Sequence, residues 1–183
     1  MCLDFSGILG VALLGVFLAP ITATDNISER NQGNVGGNSH QSVNIDKQKQ
    51  VVNVDNNNGW HSWNSIFDYR SGYAATRILS KKSCVVIPLS KIPLPDVTTL
   101  PQVIREKQKD PSKGPERKEV TYVVSPEKIT DLSPYGKNIE ALCRGIPTYL
   151  AKEAHARGSV FAIGGCFQAD ILCIVNLNLC AWI

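Results

Sequence analysis

The sequence predicts an α+β fold in which an antiparallel β-sheet carries two packed helices. Several short segments alternate apolar and polar residues, as half-buried strands do, and two segments repeat apolar residues with helical spacing. The chain has 183 residues, of which 43% are hydrophobic and 19% are charged. That composition suits one domain with a hydrophobic core plus some poorly structured extra length.

Residues 1–23 are predicted to form a secretory signal peptide. Residues 8–19 are a predominantly apolar stretch, Pro20 ends it, and Ala23 is a small residue suited to cleavage. The leading residues depart from the usual pattern because they contain Asp4 and no Lys or Arg. The stretch is shorter than the roughly 20 residues that a membrane-spanning helix needs. We therefore predict a secreted, extracellular protein that does not span a membrane.

After the signal peptide, the sequence predicts a polar segment followed by β-strands. Residues 24–40 are polar and rich in Gly and Asn, which predicts a flexible N-terminal segment. Residues 41–56 hold two alternating runs, QSVNID and VVNVD, and are predicted to form a β segment before the main domain. Asn58-Gly59 then predicts a turn. After this turn, Trp60 and Trp63 are expected to pack against the sheet.

The central part of the chain predicts a hairpin and a further strand. Residues 66–69 and 73–79 are strand-like and flank a Gly-bearing turn, which is the pattern of a hairpin. Residues 83–87 form another β-rich run, which Pro88 ends.

Two helices have recognisable start signals. The first is expected after Thr99, because Pro101 lies in its first turn and apolar side chains share one face: Leu100, Val103 and Ile104. The second is expected after Ser133, with Pro134 at its first position and an end at Gly145. Its predicted apolar face contains Ile139, Leu142, Cys143 and Ile146.

The remaining strands are predicted between and after the helices. Residues 119–124 alternate as a strand does. Residues 169–183 follow the Gly164-Gly165 pair and are predicted to form one long strand.

The sequence predicts no enzyme, cofactor or metal site. Its three histidines form no His-Glu-x-x-His pattern, and it contains no C-x-x-C, G-x-S-x-G, P-loop or G-x-G-x-x-G motif. Cys173 has apolar neighbours, which favour a buried, unreactive cysteine over a nucleophile. The net charge of +3 is small and forms no clustered basic face, so no nucleic-acid partner is expected.

Asp68 is the unusual polar residue of the predicted hairpin, because aspartate is disfavoured in strands. In one interpretation its carboxylate accepts hydrogen bonds from nearby backbone N–H groups and only shapes the hairpin. In the other it is a partly buried, pH-sensitive structural carboxylate that becomes protonated in acid and alters packing or assembly. The two interpretations are compatible.

The aspartate, a cysteine sixteen residues later at position 84 and a second cysteine at position 143 resemble the BRICHOS domain. The motifs VDNNNGW, SWNSIFDY, GYAATR, YGKNI and CRGIPTY further resemble the gastrokines, which are secreted BRICHOS proteins of the stomach lining. The resemblance implies a BRICHOS domain at residues 57–150 and a C-terminal β segment at 151–183 that completes the fold. It also implies disulfides Cys84–Cys143 and Cys166–Cys180, which leave Cys173 as the odd cysteine.

The resemblance implies two functions of different classes. One is a gastric mucosal protein that restrains epithelial cell proliferation and maintains mucosal integrity through a cell-surface receptor. The other is an extracellular chaperone that binds aggregation-prone β segments through a sheet edge or face. A homo-oligomer is a further candidate assembly, and Asn26-Ile27-Ser28 is a candidate N-glycosylation sequon.

Overall fold

A computed structural model describes residues 24–31, 39–110, 115–154 and 165–181. The predicted signal peptide lies outside these residues. The described chain contains two α-helices, α1 (Leu100–Lys109) and α2 (Lys137–Cys143). Its strands are β1 (Thr24–Asn31), β2 (Ser39–Asp46), β3 (Val51–Asn57), β4 (Trp63–Asp68), β5 (Tyr73–Ile78), β6 (Ser83–Pro88), β7 (Lys118–Lys128), β8 (Thr148–Glu153), β9 (Cys166–Ile171) and β10 (Val175–Ala181).

All ten strands belong to one mixed sheet with the order β1-β2-β3-β4-β5-β6-β8-β7-β10-β9. Strands β1 to β6 form an antiparallel meander, whereas β6 pairs in parallel with β8 and β7 pairs in parallel with β10. The prediction of an antiparallel sheet flanked by two helices is therefore wrong, and the fold is mostly β. The alternation within a strand reports which face is buried, but it does not report the direction of the neighbouring strand.

The sheet curls around its main hydrophobic core. Gln41 of β2, which is 3% exposed, bonds to the end of β9 and to the turn that follows it, near the other end of the strand order. Its Nε2 donates to the carbonyl oxygen of Asp170 at 2.6 Å, and the N–H of Leu172 donates to its Oε1 at 3.2 Å. A side-chain amide thus takes the place of backbone pairing between two distant strands.

The two helices lie on different sides of the curled sheet. Leu100 and Ile104 of α1 belong to the main core inside the curl. Arg105 holds α1 to β1 through an ion pair with Asp25, with 3.1 Å between Nη2 and Oδ1. In contrast, α2 packs on the outer face, where Ile139 belongs to a second, smaller hydrophobic cluster. No helix among the described residues is long and apolar enough to cross a membrane.

The local patterns locate the hairpin and both helices, with shifted boundaries. Strands β4 and β5 form the predicted hairpin, and α1 carries Pro101 in its first turn. The second helix begins at Lys137, because residues 133–135 form a single 3-10 turn. Trp63 is buried as expected, but the expectation for Trp60 is wrong, since 63% of its surface is exposed.

Other segments differ from the sequence expectations. The described parts of the predicted flexible segment, residues 24–31 and 39–40, form β1 and the start of β2, and these two strands pair with each other. Strand β8 has no counterpart among the predicted strands. The prediction of one long strand over residues 169–183 is wrong, because the chain turns back between β9 and β10. Leu172 and Cys173 both have φ of 56° in that turn, which carries none of the Gly or Asn residues that usually mark one.

Candidate functional site

Asp68 is the last residue of β4 and is 4% exposed. Its Oδ1 accepts hydrogen bonds from the backbone N–H groups of Arg70 and Ser71, both at 3.0 Å. Its backbone carbonyl accepts the N–H of Gly72 at 2.9 Å, which closes the turn. The carboxylate therefore fixes the β4–β5 hairpin through the local bonds that an aspartate before a turn can make.

The second carboxylate oxygen of Asp68 links the hairpin to α2. Its Oδ2 accepts a hydrogen bond from Nδ2 of Asn138 at 2.8 Å, across 70 residues of sequence. The three donors to the carboxyl group are therefore two backbone N–H groups and one side-chain amide. Asn138 lies within the YGKNI motif, but the sequence offers no local signal that it meets Asp68.

Gly136 allows this close approach between α2 and the hairpin. It has φ of 97° and ψ of 156°, a conformation essentially restricted to glycine. A Cβ at this position would lie 2.9 Å from the Cβ of Ser71 and 3.5 Å from Oδ2 of Asp68. We name Asp68, Ser71, Gly136 and Asn138 the Asp68 cluster.

A disulfide joins Cys84 of β6 to Cys143, the last residue of α2, and we name it the strand–helix disulfide. Both cysteines are fully buried in the outer hydrophobic cluster. Tyr73 and Tyr135 also pack there, edge to face, with 4.9 Å between ring centroids. The disulfide, the ring pair and the Asp68 hydrogen bonds together attach α2 to the outer face.

The other bond implied by the resemblance joins Cys166 of β9 to Cys180 of β10, and we name it the hairpin disulfide. The two residues are direct partners in the antiparallel register. Cys173 belongs to neither disulfide and lies half-buried in the turn between these strands. Its N–H donates to Oδ1 of Asp170 at 3.2 Å.

Asp170 of β9 is a partly buried carboxyl group that lies close to this turn. Burial raises the pKa of its carboxyl group above the usual range. The guanidinium of Arg117, with 3.0 Å between Nη2 and Oδ2, and the Cys173 N–H act in the opposite direction. Sequence reasoning did not single out Asp170, since Gln41 and Arg117 come close to it only when the sheet curls.

An apolar cavity of about 410 Å³ opens between the ends of several strands and β9. Among the described residues, β9 has β10 as its only strand neighbour, so its other edge has no strand partner there. Phe167 of β9 forms part of the cavity wall, together with apolar residues of four other strands: Ile78, Val85, Val124 and Leu179. We name this site the apolar cavity.

The remaining predicted site residue, Asn26, lies on β1 and is exposed. Its Oδ1 accepts a hydrogen bond from Nδ2 of Asn44. Among the described residues, no group of three or more His, Cys, Asp or Glu side chains could hold a metal ion.

The chain is similar to known proteins over most of its length. The BRICHOS domain model matches residues 59–150. Gastrokine-1 of Homo sapiens is 45% identical over 176 residues, covering 94% of this chain and 95% of that protein. Gastrokine-1 of Mus musculus is 42% identical over 171 residues, covering 93% and 92%. Gastrokine-3 of Homo sapiens is less similar, with 30% identity over 172 residues that cover 92% and 93%.

No solved structure matches the chain. The BRICHOS match contains Asp68 and both cysteines of the strand–helix disulfide, and the gastrokine matches extend across nearly the whole sequence. The chain therefore belongs to the gastrokine family of BRICHOS-domain proteins.

Proposed function

We propose that the protein is a secreted protein of the gastric mucosa that restrains epithelial cell proliferation and so maintains mucosal integrity. The observation that carries this proposal is the extent of the similarity to Gastrokine-1 of Homo sapiens, which covers 94% of this chain and 95% of that protein. The shared part therefore includes the segments before and after the BRICHOS domain.

An exposed apolar pair is the surface that best suits a cell-surface protein partner. Trp60 is 63% exposed and Leu79 is 48% exposed. The N–H of Leu79 donates to the carbonyl of Ser62 at 3.1 Å, which holds the two loops next to each other. Tryptophan is frequent among the residues that dominate binding energy at protein interfaces, and exposed apolar patches often mark such interfaces. We assign the receptor contact to Trp60 and Leu79.

The test is DNA synthesis in cultured gastric epithelial cells treated with the purified secreted protein. We expect a saturable decrease with the wild type and a clear loss of potency with Trp60→Ala and Leu79→Ser. Lys152→Ala, an exposed substitution on β8, is the matched control and should retain full potency. Unchanged DNA synthesis at every dose of folded protein would contradict the growth-restraining function.

The apolar cavity and the β9 edge favour a second candidate function, an extracellular chaperone. An edge strand can accept an extended peptide through main-chain hydrogen bonds, and a neighbouring apolar pocket can take the side chains of that peptide. The described residues that line the cavity include Lys81 and no carboxylate. This setting favours apolar or acidic β segments as clients.

The chaperone test is the aggregation time course of an amyloid-forming peptide with sub-stoichiometric protein at neutral and acidic pH. We expect a delay that Phe167→Asp abolishes, because a charge would enter the cavity wall. Trp60→Asp is the control and should leave the delay intact. An equal time course with and without protein would exclude this function.

A further inference from the structure

A second cavity, of about 360 Å³, lies between β9 and the connection from β3 to β4. We name it the polar cavity. Its volume is within the range of small-molecule sites in proteins. Three carboxamide side chains line it, those of Asn56, Asn58 and Gln168.

Three ring systems, one carboxylate and Cys166 complete the wall of the polar cavity. The rings belong to Trp63, which is buried, Phe167, which is half-buried, and His61, which is exposed. His61 lies on the same 3-10 turn as the exposed Trp60. The carboxylate is that of Asp170, whose Oδ2 pairs with Arg117. A carboxylate still has acceptor positions left after one ion pair and one N–H bond.

This donor set excludes several classes of ligand. An anionic ligand is disfavoured because the Asp170 carboxylate would repel it and no lysine or arginine among the described lining residues would attract it. A cation would compete with Arg117 for the same carboxylate. A wholly apolar ligand would bury the three carboxamides without hydrogen bonds, which is costly. A neutral ligand with many hydroxyl groups satisfies all of them, because each carboxamide both donates and accepts.

Asn56 supplies an independent observation. Its Oδ1 is a buried atom without a hydrogen-bond partner among the described residues, although such atoms are normally satisfied. The carboxamide lines the cavity, and its terminal torsion has two nearly equivalent orientations. A half-turn exchanges the positions of its oxygen and nitrogen, so the acceptor can meet a hydroxyl donor from a bound ligand.

From these observations we infer that the polar cavity binds a neutral saccharide unit. The carboxamides and Asp170 bond to its hydroxyl groups, while the C–H groups of the sugar ring lie against aromatic faces, which carry negative charge density. The polar cavity shares Phe167 with the apolar cavity, but the inference does not depend on the growth-restraining or chaperone function.

The test is titration of the ¹⁵N-labelled protein with neutral methyl glycosides of glucose, galactose and N-acetylglucosamine, followed by NMR. At concentrations up to about 10 mM, a Kd of about 1 mM should give nearly complete saturation. We expect at least one of these sugars to shift the Trp63 indole, Phe167 and Gln168 signals saturably. Glucuronate, which has the same ring but carries a charge, should bind at least tenfold more weakly.

Matched variants locate the site. Asn56→Ala and Gln168→Ala should each weaken binding severalfold. Asn57→Ala is the control, because Asn57 is the next residue on β3, is exposed and does not line the polar cavity. The inference is overturned if no neutral sugar shifts these signals, if glucuronate binds equally well, or if Asn57→Ala weakens binding as much as Asn56→Ala. Spectra of each sugar-free variant establish that it is folded.

Discussion

Replacing Gly136 by alanine tests whether the Asp68 cluster depends on close packing between α2 and the β4–β5 hairpin. The backbone at Gly136, with φ of 97° and ψ of 156°, costs an alanine about 1–3 kcal/mol. The new Cβ would also lie 2.9 Å from the Cβ of Ser71, closer than such atoms pack. Overpacking of this kind costs about 1–3 kcal/mol. We therefore expect a total loss of about 2–6 kcal/mol in the free energy of unfolding.

Gly145→Ala is the matched control for this substitution. Gly145 has φ of 77°, but a Cβ there would meet nothing within 4 Å. Only the left-handed backbone is then unfavourable, which costs about 1–2 kcal/mol. Urea unfolding with both disulfides intact measures the two losses, and equal m-values would show that the surface exposed on unfolding is unchanged.

Ser71→Gly provides a second, sharper comparison. It removes the Cβ and Oγ that the alanine at position 136 would meet and leaves Asp68 Oδ2 at an ordinary contact distance of 3.5 Å. The double variant Gly136→Ala/Ser71→Gly should lose about 1–2 kcal/mol less free energy of unfolding than the sum of the two single losses. If the two substitutions are additive and Gly136→Ala costs no more than Gly145→Ala, the close packing described here does not stabilise the protein.

Further predictions concern the Asp68 cluster, the two disulfides, Asp170 and Asn26. Asp68→Ala should lower the free energy of unfolding by about 2–5 kcal/mol, because three donors lose their acceptor. Asn138→Ala removes one of these donors and should cost only about 1.5–3 kcal/mol. A larger loss for Asn138→Ala than for Asp68→Ala in urea unfolding would contradict the central role of Asp68 in the cluster. Removing the strand–helix disulfide, which spans 59 residues of sequence, should cost about 4 kcal/mol, and removing the hairpin disulfide, which spans 14, about 3 kcal/mol. Mild reduction should open the hairpin disulfide before the strand–helix disulfide, because one of its cysteines is exposed, and thiol labelling would detect the cysteines that are released first. Burial raises the pKa of Asp170, so its protonation favours the folded state: the stabilising contribution is present below the ordinary pKa and is lost as pH rises through the raised pKa. Asp170→Asn should remove that part of the pH dependence of unfolding, which lies above the ordinary carboxyl pKa, and superimposable profiles of the two proteins would contradict it. We expect Asn26 to be glycosylated when the protein is expressed through a eukaryotic secretory pathway. Peptide N-glycosidase should then convert Asn26 to aspartate, whereas an unchanged mass would show that the sequon is unused.

The sequence alone determined the features that depend on neighbouring residues. Alternating residues on either side of positions 70–72 specify the β4–β5 hairpin, because side chains of a strand alternate between its faces. Pro101 and the apolar face beside it specify α1, because proline is tolerated in the first turn of a helix. The motifs around Asp68 and the cysteines were long enough to identify the family and to imply both disulfides.

Only the tertiary structure decided how these elements meet. The parallel pairing of β7 with β10 joins strands that are far apart in sequence, and strand alternation carries no information about such a partner. The hydrogen bond from Asn138 to Asp68 and the hydrogen bond from Gln41 to Asp170 likewise depend on the path of the whole chain. The positive φ at Leu172 is stabilised by its surroundings, since the residue has no intrinsic preference for that turn. Local periodicity therefore determined the elements, whereas the curl of the sheet determined the sites.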